Sequence, residues 1–397
     1  MSLDRSIPLS SPDIGAAEKS AVLRVLGSGR LSLGPMVPAF ERALAERAGV
    51  EHAVAVNSGT SGLHLCIKAA GIGDGDEVIT SPFSFVASAN CILFERGVPR
   101  FVDIDAATYN LDADRIEGAI TRRTKAILPV HVFGRPCDMT AILRIAARYG
   151  LKVIEDSCEA IGARFEGRPA GSFGDTGVFA FYPNKQMTTG EGGAIVTNNA
   201  DVARLCRSWR NQGRSDDAWL SHARLGYNYR LSDLSCALGL AQLSRLEEML
   251  ARRAQVAAAY GELLNAEVPE VITPAATSPG CELSWFVYVV RLRDEFTQEQ
   301  RDGVVTRLRA AGIGTGVYFP PIHLQEYFRQ QFGHRPGDFP VTERIAARTI
   351  ALPFFNRLSR RQMATVVDSL KKAVRAMKPQ PPSPKACSSY RAKEATS

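Results

Sequence analysis

The chain has 397 residues, which is too long for one small hydrophobic core and predicts one large and one smaller domain. Its composition, with 45% hydrophobic and 22% charged residues, is typical of a globular protein. It contains no apolar run near the roughly 20 residues that a membrane-spanning helix needs, so we predict no membrane span.

The net charge of +7 is the difference between 48 basic and 41 acidic residues, and arginines do not form stripes interleaved with aromatic residues. This pattern does not favour nucleic-acid binding. It fits an anionic small-molecule substrate and, equally, an Arg-rich surface facing solvent. Residues 1–12 lack the order of a signal peptide, which predicts a cytoplasmic location. Eight cysteines without a CxxC pair predict reduced core residues, and neither disulfides nor a metal site.

From about residue 50 to 200, short apolar runs alternate with amphipathic helical patterns. This rhythm is typical of βαβ units in a mostly parallel sheet covered on both faces, and it predicts the α/β class. The expected strands cover residues 52–57, 76–81, 100–105, 125–132, 152–157, 177–182 and 193–198, and helical patterns between them include 61–70, 84–95 and 139–150.

The pattern changes after a long helical stretch that begins near Arg230 and runs towards Leu264. Strands are expected at 286–292 and 314–319, and capping boxes of the form Thr/Ser-x-x-Gln at 297–300 and 359–362 predict two helix starts. We therefore predict a large domain over 1–250, which includes the N-terminal segment, a small α+β domain over 251–377, and a disordered tail over 378–397.

Three segments carry candidate chemistry. The first is NSGTSG (57–62), a Gly-containing turn between a strand and a helix, where the N–H groups of Gly59, Thr60 and Ser61 are suited to bind a phosphate. An ordinary turn with Ser58 or Thr60 as the helix N-cap is the alternative.

The second segment is VIEDSCE (153–159), in which a strand ends in carboxylates at the sheet edge where ligands bind in α/β folds. Asp156 is suited to hold a cationic partner such as a protonated pyridine, although an N-cap or a salt bridge is the alternative.

The third segment is FAFYPNKQMTTGEGG (179–193), which places Lys185 on a loop beside a Gly-rich turn. A partly desolvated amine of this kind forms imines, and a surface lysine is the alternative. A phosphate anchor, a carboxylate and an amine are together what pyridoxal 5′-phosphate (PLP) requires.

The segments NSGTSGLHL, SPFSFVASAN, VHVFGRPCDM, VIEDSCEAIGA, FAFYPNKQMTTGEGG, GYNYRLSDLSCALGLAQL and YFPPIHLQEYF occur in the same order as in the DegT/DnrJ/EryC1/StrS aminotransferases, which the chain resembles over roughly residues 6–375. The resemblance implies the fold type I architecture of PLP-dependent transferases, which is aspartate aminotransferase-like. It also implies a homodimer with shared active sites.

The resemblance implies specific roles for matching residues. Lys185 would carry PLP as a Schiff base, Asp156 would pair with the pyridinium nitrogen, and Gly59 with Thr60 would form part of the phosphate cup. Phe85 would stack on the cofactor ring, unless it is a core residue of its helix.

Two further residues belong to the GYNYR block. Asn228 would reach the phosphate bound by the neighbouring subunit, unless it is a loop or capping residue. Arg230 is a candidate substrate-binding residue.

Some positions depart from the pattern of many relatives. Glu159 stands where they have Gln beside the ring oxygen of the cofactor, Ile161 where His is frequent, and Ala180 where a phosphate-binding Ser is frequent. The changes at Glu159 and Ile161 resemble the perosamine-synthase-like branch of the family, and Glu159 stays a cofactor-binding candidate.

Two histidines are ambiguous. His323, in the YFPPIHLQ block, is a candidate substrate contact, and His131, at the end of a predicted strand, is a candidate site residue. Either is equally suited to a structural role as a buried, hydrogen-bonded side chain.

The resemblance implies a transaminase that takes an amino group, with glutamate as the expected donor, and transfers it to a keto-sugar linked to a nucleoside diphosphate, for amino-sugar biosynthesis. An aminocyclitol or keto-inositol aminotransferase is the alternative enzyme. A catalytically silent sensor that keeps the PLP fold is the alternative from another class. Related dehydratases lack the lysine, so Lys185 argues against their chemistry.

Overall fold

The computed structural model describes residues 6–215, 221–276 and 280–378. The predicted disordered tail therefore lies outside the described residues, apart from Lys378.

The secondary structure alternates strands with helices through the first half of the chain. In chain order the strands are β1 (His52–Val56), β2 (Glu77–Thr80), β3 (Val98–Phe101), β4 (Thr124–Leu128), β5 (Lys152–Asp156), β6 (Arg164–Phe165), β7 (Arg168–Pro169), β8 (Thr176–Ala180), β9 (Gly193–Thr197), β10 (Val271–Ile272), β11 (Cys281–Glu282), β12 (Tyr288–Leu292) and β13 (Thr349–Leu352).

The helices surround these strands. In chain order they are α1 (Ala16–Ser28), α2 (Met36–Ala48), α3 (Gly59–Ala69), α4 (Ala87–Phe94), α5 (Ile116–Ala119), α6 (Met139–Tyr149), α7 (Ala200–Arg210), α8 (Asp233–Leu243), α9 (Leu246–Glu267), α10 (Gln298–Ala310), α11 (Glu326–Phe332), α12 (Pro340–Ala346) and α13 (Arg360–Met377). Short 3-10 turns occur at Ala113–Arg115, Val132–Gly134 and Ile322–Leu324.

The central sheet has seven strands in the order β1-β9-β8-β5-β4-β2-β3. Strands β8, β5, β4, β2 and β3 pair in parallel, and β9 is antiparallel to both of its neighbours. The predicted α/β class with a mostly parallel sheet is confirmed.

Both faces of this sheet are covered. In β1, Val54 and Val56 pack in the cluster that contains side chains of α3, whereas Ala53 and Ala55 pack in the cluster that contains side chains of α2. Successive strand residues point to opposite faces, so the apolar residues from Ala53 to Val56 bury the strand between two helical layers.

A second core lies in the C-terminal part of the chain. Strands β10, β12 and β13 form a three-stranded antiparallel sheet, and their side chains pack with those of α9, α10 and α13. The buried side chain of Ile7 packs in this core. Its N–H donates to the Gly312 carbonyl at 2.9 Å, and its carbonyl accepts from the Gly314 N–H at 2.8 Å. The N-terminal segment thus joins the C-terminal core.

Helix α9 connects the two cores. Leu246 and Met249 pack in the core of the central sheet, and Val256, Tyr260 and Leu264 pack in the C-terminal core. The predicted boundary between residues 250 and 251 falls within this helix, and the domain limits stay a prediction.

The predicted helix from Arg230 to Leu264 is wrong in detail, because α8 ends at Leu243 and α9 starts at Leu246. The predicted strand at 314–319 is also wrong. That segment forms only a single bridge, between Gly316 and Ala351. The N-terminal segment occupies the space beside it, since a Cβ on Gly314 would lie 2.4 Å from the Leu9 nitrogen.

Both predicted capping boxes are confirmed. Thr297 and Ser359 accept hydrogen bonds from the backbone N–H groups of Gln300 and Gln362, whose side chains accept from the cap N–H groups in return. Helices α1 and α2 and the small sheet β11-β6-β7 were not predicted. Among the helices of the described residues, none combines the length and apolar character that a membrane crossing requires.

Candidate active site

A cavity of about 430 Å³ opens at the carboxyl ends of the central strands. Its size lies within the range of about 300–1,000 Å³ that is usual for small-molecule sites. Six of the seven predicted cofactor-binding residues line it, namely Gly59, Thr60, Phe85, Asp156, Glu159 and Lys185.

The NSGTSG turn forms the first turn of α3. The Ser58 Oγ caps the helix by accepting the Ser61 N–H at 3.0 Å, and the Ser61 hydroxyl donates to Asn57 Oδ1 at 2.6 Å. Ser61 is therefore committed within the turn, which corrects its prediction as a phosphate donor. The N–H groups of Gly59 and Thr60 have no hydrogen-bond acceptor among the described residues, so they remain suited to bind an anion at the helix N-terminus.

Two glycines bring the separate segments together. A Cβ on Gly59 would lie 2.8 Å from both the Ala180 Cβ and the Cys158 Sγ, and a Cβ on Gly193 would lie 2.7 Å from the Gly59 nitrogen. Any larger residue would collide at these positions. The Gly-rich turn, the end of β8 and the start of α3 therefore meet at backbone distance.

Asp156 is the last residue of β5 and is 5% exposed. Its Oδ2 accepts a hydrogen bond from the Ser88 hydroxyl at 2.7 Å, and its Oδ1 accepts from the Cys158 N–H at 3.1 Å. It pairs with no cation within the described ranges, so the salt-bridge alternative is not observed there. The buried carboxylate is held at the cavity wall by two neutral donors.

Lys185 lies in a turn closed by its own N–H, which donates to the Tyr182 carbonyl at 2.9 Å. Its side chain is 13% exposed, with Nζ 3.6 Å from Glu159 Oε1 and 3.9 Å from the centre of the Phe286 ring. This burial excludes the surface-lysine alternative. The amine faces the same cavity as Asp156.

The other carboxylate oxygen of Glu159, Oε2, accepts a hydrogen bond from the Phe133 N–H at 2.8 Å. Burial raises the pKa of the Glu159 carboxyl, and the nearby Lys185 amine and the Phe133 N–H oppose that rise. Lys185 and Glu159 thus form a buried pair in the wall of the cavity.

Phe85 lines the cavity with 63% of its surface exposed, which excludes the alternative of a core residue. Its flat ring is available for stacking on a planar ligand.

Asn228 and Arg230 do not line the cavity of their own chain. Asn228 is exposed and forms a bridge with Asn211. Arg230 donates to Asn211 Oδ1 at 3.1 Å. Their backbone nevertheless lies beside the NSGTSG turn, because the Asn228 carbonyl accepts from the Asn57 amide at 3.4 Å and Arg230 forms a bridge with Val56.

The prediction that His323 contacts substrate is corrected. Its side chain is 0% exposed, and its Nε2 lies 3.0 Å from Glu343 Oε1. Since it packs against the Phe339 ring with centres 4.7 Å apart, no surface remains for a ligand.

His131 is likewise structural. It is fully buried; its Nδ1 accepts the Cys137 N–H at 3.1 Å and its Nε2 donates to Glu155 Oε2 at 3.0 Å. Its prediction as a site residue is therefore corrected.

Sequence reasoning missed several residues of the cavity wall, namely Ser88, Tyr182, Asn184, Phe286 and Tyr318. Ser88 could have been predicted from the sequence. It follows the candidate Phe85 by three residues at the start of a helix, a spacing that places two side chains on the same face. Phe286 and Tyr318 come from the C-terminal part of the chain, and no local pattern connects them with the N-terminal segments.

The polar groups in the cavity wall match the chemical groups of PLP. Free N–H groups of Gly59 and Thr60 suit a phosphate, the buried Asp156 carboxylate suits a protonated ring nitrogen, and the Lys185 amine suits an aldehyde. Gly59 is needed for the close approach at the phosphate end, because a Cβ there would collide.

Curated proteins resemble the chain over most of its length. It is 38% identical to the GDP-perosamine synthase of Caulobacter vibrioides, with 92% of this chain and 97% of that protein covered. It is 39% identical to the spore coat polysaccharide biosynthesis protein SpsC of Bacillus subtilis, with 93% of this chain and 97% of that protein covered.

Solved structures share the fold. DesV of S. venezuelae matches with a TM-score of 0.84 and 35% identity over 92% of this chain and 95% of that one. Spr1654 of Streptococcus pneumoniae, solved in a PLP form, matches with a TM-score of 0.89 and 26% identity over 94% of this chain and 100% of that one. The predicted type I fold and PLP cofactor are confirmed.

The model of the DegT/DnrJ/EryC1/StrS aminotransferase family matches residues 12–371. Together with the relatives and the cavity that joins Lys185 to Asp156, this match shows that the chain belongs to that family and is a PLP-dependent aminotransferase.

Proposed function

We propose that this aminotransferase moves an amino group from glutamate to a keto-sugar linked to a nucleoside diphosphate, and so takes part in amino-sugar biosynthesis. The observation that carries the proposal is the 38% identity to a GDP-perosamine synthase over 92% of the chain. The buried Lys185–Glu159 pair and the carboxylate of Asp156 in one cavity support catalytic competence, which the silent-sensor alternative lacks.

When bound, PLP supplies an aldehyde for amines and a ring that accepts electrons. Lys185 would hold that aldehyde through its Nζ, and once the amine of the donor has displaced it, the freed Nζ would be placed to move the proton at the donor Cα. Burial beside Phe286 keeps water from competing for this proton.

Asp156 would keep the ring nitrogen protonated. The Ser88 hydroxyl and the Cys158 N–H fix its orientation without neutralising its charge. Gly59 and Thr60 would bind the phosphate, and Phe85 would cover the ring face. Glu159, whose Oε1 lies 3.6 Å from Lys185 Nζ, would interact with the ring oxygen.

Asn228 completes the site of the neighbouring subunit in a homodimer. Tyr227 and Tyr229 stack with ring centres 4.9 Å apart and both pack on His64. Because side chains alternate along an extended segment, this packing directs Asn228 away from its own core.

The first test is a two-step assay of the PLP-loaded enzyme. Glutamate should convert the cofactor to its aminated form, with a change in visible absorbance. Nucleotide-linked 3- or 4-keto-sugars should then reverse that change, and Lys185→Ala should perform neither step. If only aminocyclitol ketones reverse the change, the sugar assignment is wrong; if glutamate produces no change and other amino acids do, the donor assignment is wrong.

The second test concerns Asp156→Asn, which keeps the shape but removes the charge. Loss of a charge-assisted bond in the transition state costs about 2–3 kcal/mol, so turnover should fall roughly a hundredfold while the melting temperature changes little. Asp138→Asn is the matched control, because Asp138 caps α6 through Ala141 N–H and Asn can also cap. A destabilised Asp156→Asn enzyme with normal turnover per folded molecule would show that the carboxylate serves only the fold.

The third test addresses the shared site by mixing Lys185→Ala chains with Asn228→Ala chains. Each homodimer should be impaired. A heterodimer places both defects in one site and leaves the other site intact, so activity should reappear at about half the wild-type value per dimer. Heterodimers verified by mass spectrometry that remain inactive would refute the proposal that Asn228 acts across subunits.

A further inference from the structure

A buried arginine contacts the loop that carries Lys185. Arg253 lies in α9, between Met249, which packs in the core of the central sheet, and Val256, which packs in the C-terminal core. It is 3% exposed, and burial lowers its pKa to about 10, so the guanidinium remains a cation at neutral pH.

This cation is not neutralised by a direct partner. Arg253 forms no ion pair with any described residue, and its Nε has no hydrogen-bond acceptor among them. The charge of Asp13 favours the protonated guanidinium, but the Asp13 carboxylate pairs with Arg245 at 3.6 Å and with Arg357 at 2.6 Å. Burying a cation without a partner charge is unfavourable, so the groups that it does contact are of interest.

The guanidinium of Arg253 contacts backbone carbonyls on two different segments. Its Nη2 donates to the Lys185 carbonyl at 3.1 Å, and its Nη1 donates to the Phe286 carbonyl at a longer distance of 3.4 Å. Its central carbon lies 5.3 Å from the centre of the Phe354 ring. Because the donors of a guanidinium form a rigid planar fork, one side chain fixes the two backbones relative to each other.

Lys185 and Phe286 also meet inside the active-site cavity. The Lys185 Nζ lies 3.9 Å from the centre of the Phe286 ring, which is 2% exposed. Lys185 follows β8 of the central sheet, whereas Phe286 precedes β12 of the C-terminal sheet. Their contact therefore depends on how these two parts of the chain are placed, and Arg253 ties both of them outside the cavity wall.

We propose that Arg253 is a positioning residue, which holds the Lys185 and Phe286 backbones so that the Lys185 amine points at the aldehyde of PLP. The inference rests on the proposed role of Lys185 as the Schiff-base residue, and it does not depend on the donor or the sugar. Schiff-base formation joins Nζ to the aldehyde carbon and releases one water, so its rate depends on where Nζ lies.

The test compares two forms of the cofactor. Pyridoxamine 5′-phosphate keeps the phosphate and the ring but has no aldehyde, so it forms no Schiff base with a lysine. Arg253→Gln, which removes the charge and the two-branched donor, should bind pyridoxamine 5′-phosphate within roughly threefold of the wild type, because Arg253 does not line the cavity. The rate at which PLP added to the cofactor-free chain forms the Schiff base, measured by visible absorbance, should fall roughly tenfold or more.

Two further variants complete the experiment. Arg253→Lys keeps the charge but has a single donor head, so its rate should lie between those of the wild type and Arg253→Gln. Arg301→Gln is the matched control, because Arg301 is also 3% exposed and donates to the carbonyls of Ala346 and Thr349, away from the cavity. It should lower the melting temperature and change neither cofactor measurement.

The outcomes separate positioning from a role in the fold alone. If Arg253→Gln forms the Schiff base at the wild-type rate, the inference is wrong. It is also wrong if the variant loses affinity for both cofactor forms to the same extent, since that result shows general destabilisation. If Arg253→Gln does not fold, the same two comparisons on Arg253→Lys decide. A borohydride label that lies on a lysine other than Lys185 would overturn the role of Lys185 and this inference with it, whereas a label on Lys185 together with unchanged rates would overturn the inference alone.

Discussion

The close contact between the Gly-rich turn and the start of α3 is the constraint on which the site depends. A Cβ on Gly193 would lie 2.7 Å from the Gly59 nitrogen, and a Cβ on Gly59 would lie 2.8 Å from the Ala180 Cβ. Backbones can approach this closely only without side chains. The approach holds the NSGTSG turn beside the strand that leads into the Lys185 loop, so one cavity contains groups from three separate chain segments.

Charge is distributed in that cavity with little solvent to screen it. Lys185 lies 3.6 Å from Glu159, while Asp156 receives only neutral donors within the described residues. A buried carboxylate held by neutral donors keeps its attraction for a cationic ligand, because no lysine or arginine has already satisfied it. The same wall therefore provides both a paired amine and an unpaired negative charge.

The structural features that could be predicted from sequence were those that depend on residues close to one another in the chain. Apolar runs predicted the strands of the central sheet, and the Thr297 and Ser359 boxes predicted two helix starts, because each depends on neighbouring residues. The segment 314–319 looks like a strand but lies against the N-terminal residues, a contact over about 300 positions that no local pattern contains. The prediction that His323 contacts substrate failed for a similar reason. Its partner Glu343 and its complete burial are features of the tertiary structure.

The most direct measurement of the central claim is the covalent position of the cofactor. Borohydride reduction of the PLP-loaded enzyme, followed by proteolysis and peptide mass spectrometry, should find the phosphopyridoxyl group on Lys185, whose amine faces Glu159 inside the cavity. A label on another lysine, such as Lys68, which is paired with Glu95 outside this cavity, would contradict the account.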